Sequence, residues 1–412
     1  MEFLPPPAAF EVVTELVVTE AGLRVVLAPD PARNEIVAEW VFDVGAADDP
    51  LGRPGLAHLA EHLSFGEIAP GAPDYDARLG ELGGESHGWT DRERSGLGAT
   101  VPARDGAFRA LLDLESKRWR SLVIDDSAVA RQLRVLAAEA GETLDAAHGA
   151  DRIALDTMLW SSTEPWSRHP QAPVDASWTA AEVRDAWPRL RDPARSVLVL
   201  AGPLPELARD EVVASFGSGM TRVAERPPRD CEPAAPQRAW QRGDVGEGAI
   251  YAAWPGPPRA HPDRVALEAV ARWIGGGRVA SGRDCGSIII ERRGDGWRLG
   301  EHVSALRRTL SALSLGGLGE PELAALRAVQ LTDLARARAD LRLRARLLAG
   351  CMHATGGTTC LEDEAGAWLA LDRADTRKAS ARWLEWPAVT LLAVVPSRTL
   401  LAPPIPGLRL RR

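Results

Sequence analysis

The same succession of strand-like and helix-like stretches is written twice along this chain, and that repetition limits its fold more than any single motif does. In the first half, "GLRVVLAPD" (22–30) and "NEIVAEWVFDVGA" (34–46) alternate apolar with polar residues on either side of a proline-containing turn, as strands do. Helical periodicity follows over 53–66, 104–121 and 126–146. Between the first two helices, "GGESHGWTDRERSGLGATVPA" offers a glycine pair and a β-rich run that read as two further strands. "ARSVLVLAGPL" (194–204) reads as a buried strand ended by Gly-Pro. Residues 216–238 are polar, rich in proline and glycine and without periodicity, so they read as a linker. The series then begins again with a strand "GAIYAAWPG", a helix "PDRVALEAVARWIGG", a long helix from Pro321 to Ala349 and a terminal strand "AVTLLAVVPS" (388–397). That last strand holds the place in its half that "RSVLVLAGPL" holds in the first.

The expected fold class is therefore α+β, with two duplicated α/β units, each a mixed or antiparallel sheet with helices packed on one face. The expected boundaries are 1–215, a linker at 216–238, and 239–412. A length of 412 residues fits two cores, because one core stops growing at roughly 250–300 residues.

Composition narrows the partners. No run of about 18 apolar residues is free of charge, so no membrane-spanning helix is expected. A net charge of −8 argues against a nucleic-acid binder, whose footprint would be basic. The N-terminal "MEFLPPPAAFEVVTEL" has no basic segment leading into an apolar run, so no secretory signal is expected. Lysine occurs only at Lys117 and Lys378 against a large arginine excess, a bias of GC-rich bacterial coding, and a bacterial cytoplasm is the expected compartment. The four cysteines form no CxxC pair and read as free or buried thiols of a reducing compartment, with a structural metal at Cys351, His353 and Cys360 as the lesser alternative. Gly275 to Gly277 are followed by no GK[ST] and read as a tight turn, not a nucleotide loop.

The chemistry is concentrated in "GLAHLAEHLS" (55–64). On a helix, His58 and His62 share a face at i and i+4, with Glu61 beside them at i+3 from His58. An amphipathic helix carrying two imidazoles is one reading. The other is a zinc site, since HxxEH is the reversed counterpart of HExxH, with the glutamate as general base. Catalytic zinc takes three protein ligands and leaves a fourth position open, so two histidines require one more ligand from another element.

"GLAHLAEHLSFGE" resembles the active-site helix of the insulinase/pitrilysin family of HxxEH zinc metallopeptidases, including its processing-peptidase branch. In that family a glutamate on a later helix completes the ligand set, and Glu139 in "RQLRVLAAEAGETL" stands at the family's distance, 77 residues beyond His62. The stretch "GGESHGWTDRERSGLGATVPA" is similar to the family's segment whose edge strand pairs with substrate backbone. The resemblance implies that His58, His62 and Glu139 hold zinc, that Glu61 activates water, and that His87, Gly88, Trp89 and Thr90 border the peptide substrate.

Three departures modify that expectation. Seven residues before the third ligand the family carries a supporting glutamate, where this chain has Gln132, an amide that still hydrogen-bonds a ligand but adds no charge. The edge strand reads His87-Gly88-Trp89-Thr90 in place of Asn-Ala-x-Thr, which backbone pairing tolerates. In the second half, the family's substrate-holding arginine and tyrosine fall on Ile290 and Trp297. The resemblance therefore implies a zinc endopeptidase for short or unfolded peptides, possibly in processing of a peptide precursor. It would be the catalytic subunit of a heterodimer whose homologous, motif-less partner supplies the Arg/Tyr pair, a homodimer being the weaker option. The alternative is a non-hydrolytic peptide-binding or scaffold relative. A purely structural zinc is disfavoured, because structural sites close with four ligands.

Overall fold

Runs rich in valine, leucine and alanine at the sequence positions just named become the central strands of two sheets. A computed structural model of the chain describes residues 5–217, 229, 231–399 and 407–411. The first sheet contains β1 (Glu15–Val18), β2 (Arg24–Pro29), β3 (Glu35–Phe42), β4 (Glu85–Thr90), β5 (Ser95–Pro102) and β6 (Ser196–Gly202), in the order β1-β2-β6-β3-β5-β4. The second contains β7 (Arg238–Gly243), β8 (Gly248–Gly256), β9 (Gly277–Ser281), β10 (Gly286–Gly294), β11 (Thr390–Pro396) and β12 (Arg409–Leu410), in the order β12-β7-β11-β8-β10-β9.

The duplication is legible strand by strand. β2 runs parallel to β6, as β7 does to β11, and the three following pairs in each sheet are antiparallel. The fold is α+β with two mixed six-stranded sheets, and β11 holds the place of β6. β2 and β3, adjacent in sequence, are not adjacent in the sheet, because β6 enters between them.

The helices of the first half are α1 (Leu56–Leu63), α2 (Tyr75–Glu81), α3 (Ala107–Arg120), α4 (Asp126–Asp145), α5 (Gly149–Leu159), α6 (Ala180–Leu190) and α7 (Ala208–Phe216). Those of the second are α8 (Arg264–Ile274), α9 (Leu299–Gly316), α10 (Glu320–Ala339), α11 (Leu341–Thr355), α12 (Cys360–Ala370) and α13 (Arg373–Trp383). One face of the first sheet buries Trp40, Leu97 and Leu198 against α2, α3 and α7. One face of the second buries Ile250, Ile290 and Leu391 against α8, α9 and α13.

The opposite faces are covered by exchange. Val26, Val41 and Val199 of the first sheet pack on Leu341, Ala345 and Leu348 of α11, which belongs to the second half. Tyr251, Ile289 and Leu392 of the second sheet pack on Leu155, Met158 and Leu159 of α5, which belongs to the first. Each fully buried leucine of these faces contributes on the order of 1.5–3 kcal/mol, so the two units stabilise one another.

Three expectations change. The helix expected over 321–349 is two, because Asp340 leaves the helical region (φ −85°, ψ 119°) and its carboxylate accepts the Leu343 N–H as the cap of α11. The four cysteines are not free thiols: Cys231 bonds Cys285 and Cys351 bonds Cys360, with Cα atoms 5.9 and 6.0 Å apart. The pairing is tertiary, since it joins a segment beside α5 to the approach to β10, and α11 to the start of α12. The metal alternative at Cys351, His353 and Cys360 is thereby removed, and His353 Nε2 instead faces Asp43 Oδ1 at 3.1 Å. Of the linker 216–238, residues 218–228 and 230 lie outside the described residues. The glycine turn is as expected, with Gly275 and Gly276 at φ +78° and +65° between α8 and β9. No helix among the described residues is long and apolar enough to cross a membrane.

Candidate metal centre

α1 is held at both ends before it presents any chemistry. Its buried stripe, Leu56, Leu59, Ala60 and Leu63, packs among α4 and α6 residues such as Leu136 and Val183. Its first free N–H groups are met from outside the helix: Asp49 accepts from Gly55 N–H at 2.6 Å and from Ala57 N–H at 2.9 Å. Burial pushes the Asp49 carboxyl up to about 7, against the pull of those two N–H donors. Gly55 has φ +96° and a Cβ there would lie 2.5 Å from a Val174 methyl, so the entry to α1 requires glycine. At the other end Arg191, fully buried, donates to the Ala60 carbonyl and the Ser64 hydroxyl and stacks 3.9 Å over Phe42. Burial lowers the Arg191 guanidinium to about 9.

His58 and His62 emerge from the partly exposed side of this helix, while Glu61 is buried. α4 crosses them. Its N-cap Asp125 accepts the Ala128 N–H at 2.8 Å, and Gln132 and Glu139, two turns apart on one face, both reach the histidines. Glu139 Oε2 lies 3.6 Å from His58 Nε2 and 3.5 Å from His62 Nε2. Ligand atoms about 2.0–2.1 Å from a tetrahedral zinc stand about 3.3–3.4 Å from one another, so these separations match one shared ion closely.

A second contact fixes the His62 tautomer. His62 Nδ1 stands 3.3 Å from Gln132 Oε1; with the amide oxygen accepting, Nδ1 carries the proton and Nε2 keeps its lone pair for a metal. Burial, and then the neighbouring His62, lower His58 to about 4, which keeps its ring neutral. Two imidazoles and a carboxylate are a donor set suited to zinc.

Glu61 is the other carboxylate in reach. His58, Glu61 and His62 have ligand atoms within 4.8 Å of one another, so proximity alone leaves open which glutamate would bind. The environments differ. Glu61 is 6% exposed, accepts the Thr90 hydroxyl at 2.8 Å and stands 3.8 Å from His58 Nε2. Glu139 is half-exposed and near equidistant from both imidazoles. Burial raises the Glu61 carboxyl, against pulls from the Thr90 hydroxyl, from His62 and from the Arg191 guanidinium.

β4 is one of the two edge strands of the first sheet, opposite β1, and passes beside this cluster. Its residues alternate. Thr90 and Gly88 face Glu61, and a Cβ on Gly88 would stand 2.2 Å from Glu61 Oε1, so the bare backbone is what lets the carboxylate sit there. His87 turns to the other side, its Nε2 3.2 Å from the buried Glu39 carboxylate, and Trp89 Nε1 points to the same group at 3.5 Å. His87 therefore does not point towards the metal cluster. Gly88, Trp89 and Thr90, together with His58, Glu61, His62 and Glu139, border a cavity of about 570 Å³.

In the second unit the helix at the position of α1 is α8, whose sequence "RVALEAVARWI" holds no histidine. Ile290 is buried in β10 beneath the helices, and Trp297 is 56% exposed beside the Arg298 guanidinium. Asp49 and Arg191 escaped sequence reasoning, because nothing local marks an aspartate six residues before Gly55 as a cap or a distant arginine as the brace of a helix end.

Residues 24–160 match the family model described as insulinase (peptidase family M16), and residues 177–318 match that described as the peptidase M16 inactive domain. Coenzyme PQQ synthesis protein F of Pseudomonas aeruginosa is 34% identical over 122 residues, 27% of this chain and 16% of that protein. The peroxisomal insulin-degrading enzyme-like 1 of Arabidopsis thaliana is 28% identical over 126 residues, 30% of this chain and 13% of that protein. These matched stretches span well under two thirds of the relatives. A protease from Helicobacter pylori superposes with a TM-score of 0.82 at 18% identity, covering 94% of this chain and all of that one. A peptidase M16 inactive domain from Pseudomonas fluorescens gives 0.78 at 14% identity, covering 94% and 98%.

Proposed function

This chain belongs to the insulinase family, peptidase family M16, and from that premise we propose that it is a zinc-dependent endopeptidase acting on short or unfolded peptides. The observation that carries the reading is the convergence of His58, His62 and Glu139 beside the buried Glu61. Zinc in such a site supplies Lewis acidity, polarising a carbonyl and acidifying water. The chain's own groups do the rest. His58 and His62 present their Nε2 atoms, and Gln132 holds the His62 ring in the tautomer that leaves Nε2 free. Glu61 takes a proton from water and returns it to the departing amine, and its raised pKa suits a group that must both accept and release one. Thr90 orients that carboxylate. An extended peptide adds to the free edge of β4 through main-chain hydrogen bonds and passes Gly88, where nothing stands between it and Glu61.

The test is Glu61→Gln. The variant is expected to keep its metal and to lose peptide cleavage by about 10²- to 10⁴-fold. Cleavage at the parent rate would remove Glu61 from its role.

The active form we propose is a heterodimer with a homologous, motif-less subunit. The support is Ile290, buried in the core, and Trp297, neither of which offers a cation or hydroxyl to a substrate carbonyl. A purified chain that cleaved at full rate as a monomer would refute this. One observation favours the non-hydrolytic alternative: residues 177–318, which run from the end of the first half into the second, match a model described as an inactive domain. The Glu61→Gln comparison separates the two, since a binder would not distinguish the variant from the parent by turnover. The paired cysteines take away one argument for a reducing compartment, because disulfides persist where conditions are oxidising.

A further inference from the structure

A second cavity, of about 440 Å³, adjoins the metal cavity at the junction of the two halves. Pro170 borders both. The free edge strand leads from one to the other: Gly88, Trp89 and Thr90 border the first, and the next residues, Asp91 to Arg94, border the second. A peptide laid along β4 past Glu61 would be carried directly into it.

The charges of this second cavity are unbalanced. Its three carboxylates are already engaged: Asp91 with Arg94 at 2.7 Å, Asp156 with Arg92, and Glu93 with the Trp166 indole N–H at 2.7 Å and the Arg283 backbone N–H. His169 adds no charge, because burial and then Arg92 and Arg278 lower it to about 3; its Nδ1 accepts the Gln171 N–H. Arg259, from the loop after β8, and Arg278, on β9, both line the cavity, and neither guanidinium has a hydrogen-bond or ion-pair partner among the described residues. Arg259 is half-buried, and burial holds it below the ordinary arginine value. Arg278 stands at an exposed position of β9, whereas the half-buried Arg259 guanidinium, without an acceptor, is an arrangement that an incoming anion relieves.

We propose that Arg259 and Arg278 form a carboxylate-binding subsite, which receives an acidic group of the peptide whose backbone lies along β4. This rests on the peptidase reading for the identity of the ligand, and it deepens that reading by naming a preference for a carboxylate on one side of the cut. The carboxylate has two sources, an Asp or Glu side chain or the free C-terminus.

The experiment measures binding, not turnover. The full chain carrying Glu61→Gln and loaded with zinc is titrated, by fluorescence anisotropy, with two pairs of labelled peptides. One pair differs only in Asp against Asn, the other only in a free against an amidated C-terminus. The acid of at least one pair is expected to bind about tenfold more tightly than its neutral twin, and the pair that responds identifies the source. The gap is expected to close to within about twofold in R259Q/R278Q and to persist in R259K/R278K. R278Q alone, at an exposed strand position, carries the same test where the double variant does not fold. Equal binding within both pairs, or a gap untouched by loss of the arginines, overturns the subsite. Cleavage by the parent chain is scored separately. A chain that prefers the acids but never cuts would sink the proposed function and leave the subsite standing; a chain that cuts with no preference would do the reverse.

Discussion

Replacing Gly88 with alanine sets one methyl group against the proton carrier of the site and touches no group that would hold the metal. The added Cβ would lie 2.2 Å from Glu61 Oε1, 3.0 Å from its Cδ and 2.9 Å from Phe65 Cε2. Non-bonded contacts of carbon settle at about 3.5–4.0 Å, so Glu61 must retreat by roughly 1 Å. That retreat breaks the 2.8 Å hydrogen bond from Thr90 and moves the carboxylate off its line to the cavity. A misplacement of about 1 Å in a catalytic group costs about 10²-fold in rate. Gly88 does not have a positive φ, so alanine, the residue of the family's strand pattern at this place, fits its backbone, and the variant tests whether this chain holds Glu61 closer to β4 than a chain with alanine there can. The assay is cleavage of a quenched fluorescent peptide together with metal analysis. The expected result is a kcat about 10²-fold lower, with the KM and the metal content of the parent kept. Gly80→Ala on α2, where nothing lies within 4 Å, serves as the control and should leave the rate alone. A G88A protein that cut at the parent rate, or one that lost its metal, would refute the placement of Glu61 as a base apart from the ligands.

Other perturbations read other parts of the structure. Gln132→Glu puts a charge against His62 Nδ1 and should tighten zinc by about 10-fold in competition with a chelator; an unchanged affinity would mean that Gln132 does not support the ligand. Leu348→Ala on α11, whose side chain is fully buried against the far sheet, should cost about 2–5 kcal/mol in denaturant unfolding. A loss near zero would show that the exchange of helices does not stabilise the pair of units. Alkylation before reduction should label none of the four cysteines, and after reduction all of them. Labelling of the native chain at Cys351 or Cys360 would contradict that pairing.

What the sequence made legible was what local periodicity carries. The strands at 24–29, 35–42, 196–202 and 390–396 and the helices α1, α3, α4 and α8 lie where the alternation or the 3.6-residue repeat puts them. Tertiary choices left no such mark. The insertion of β6 between β2 and β3 depends on which edges meet. The apolar sides of α5 and α11 announce burial but not that each lies on the other unit's sheet. Asp340 was readable as an N-cap before "LRLRARLL", yet without proline or glycine the run looked continuous. At the site, the spacing of His58, His62 and Glu139 fitted the family's pattern, whereas His87, Gly88, Trp89 and Thr90 were expected together beside the substrate and the pleat of β4 turns His87 and the Trp89 indole towards Glu39 instead. The disulfides, 54 and 9 residues apart in sequence, required the folded arrangement.

The central claim is that His58, His62 and Glu139 hold the metal and Glu61 does not. Zinc titration against a chromophoric chelator, on the parent chain, His62→Ala, Glu139→Gln and Glu61→Gln, tests it most directly. One tight site is expected in the parent and in E61Q, weakened by at least about 100-fold in H62A and E139Q. Tight zinc in E139Q together with its loss in E61Q would make Glu61 the ligand and contradict the account.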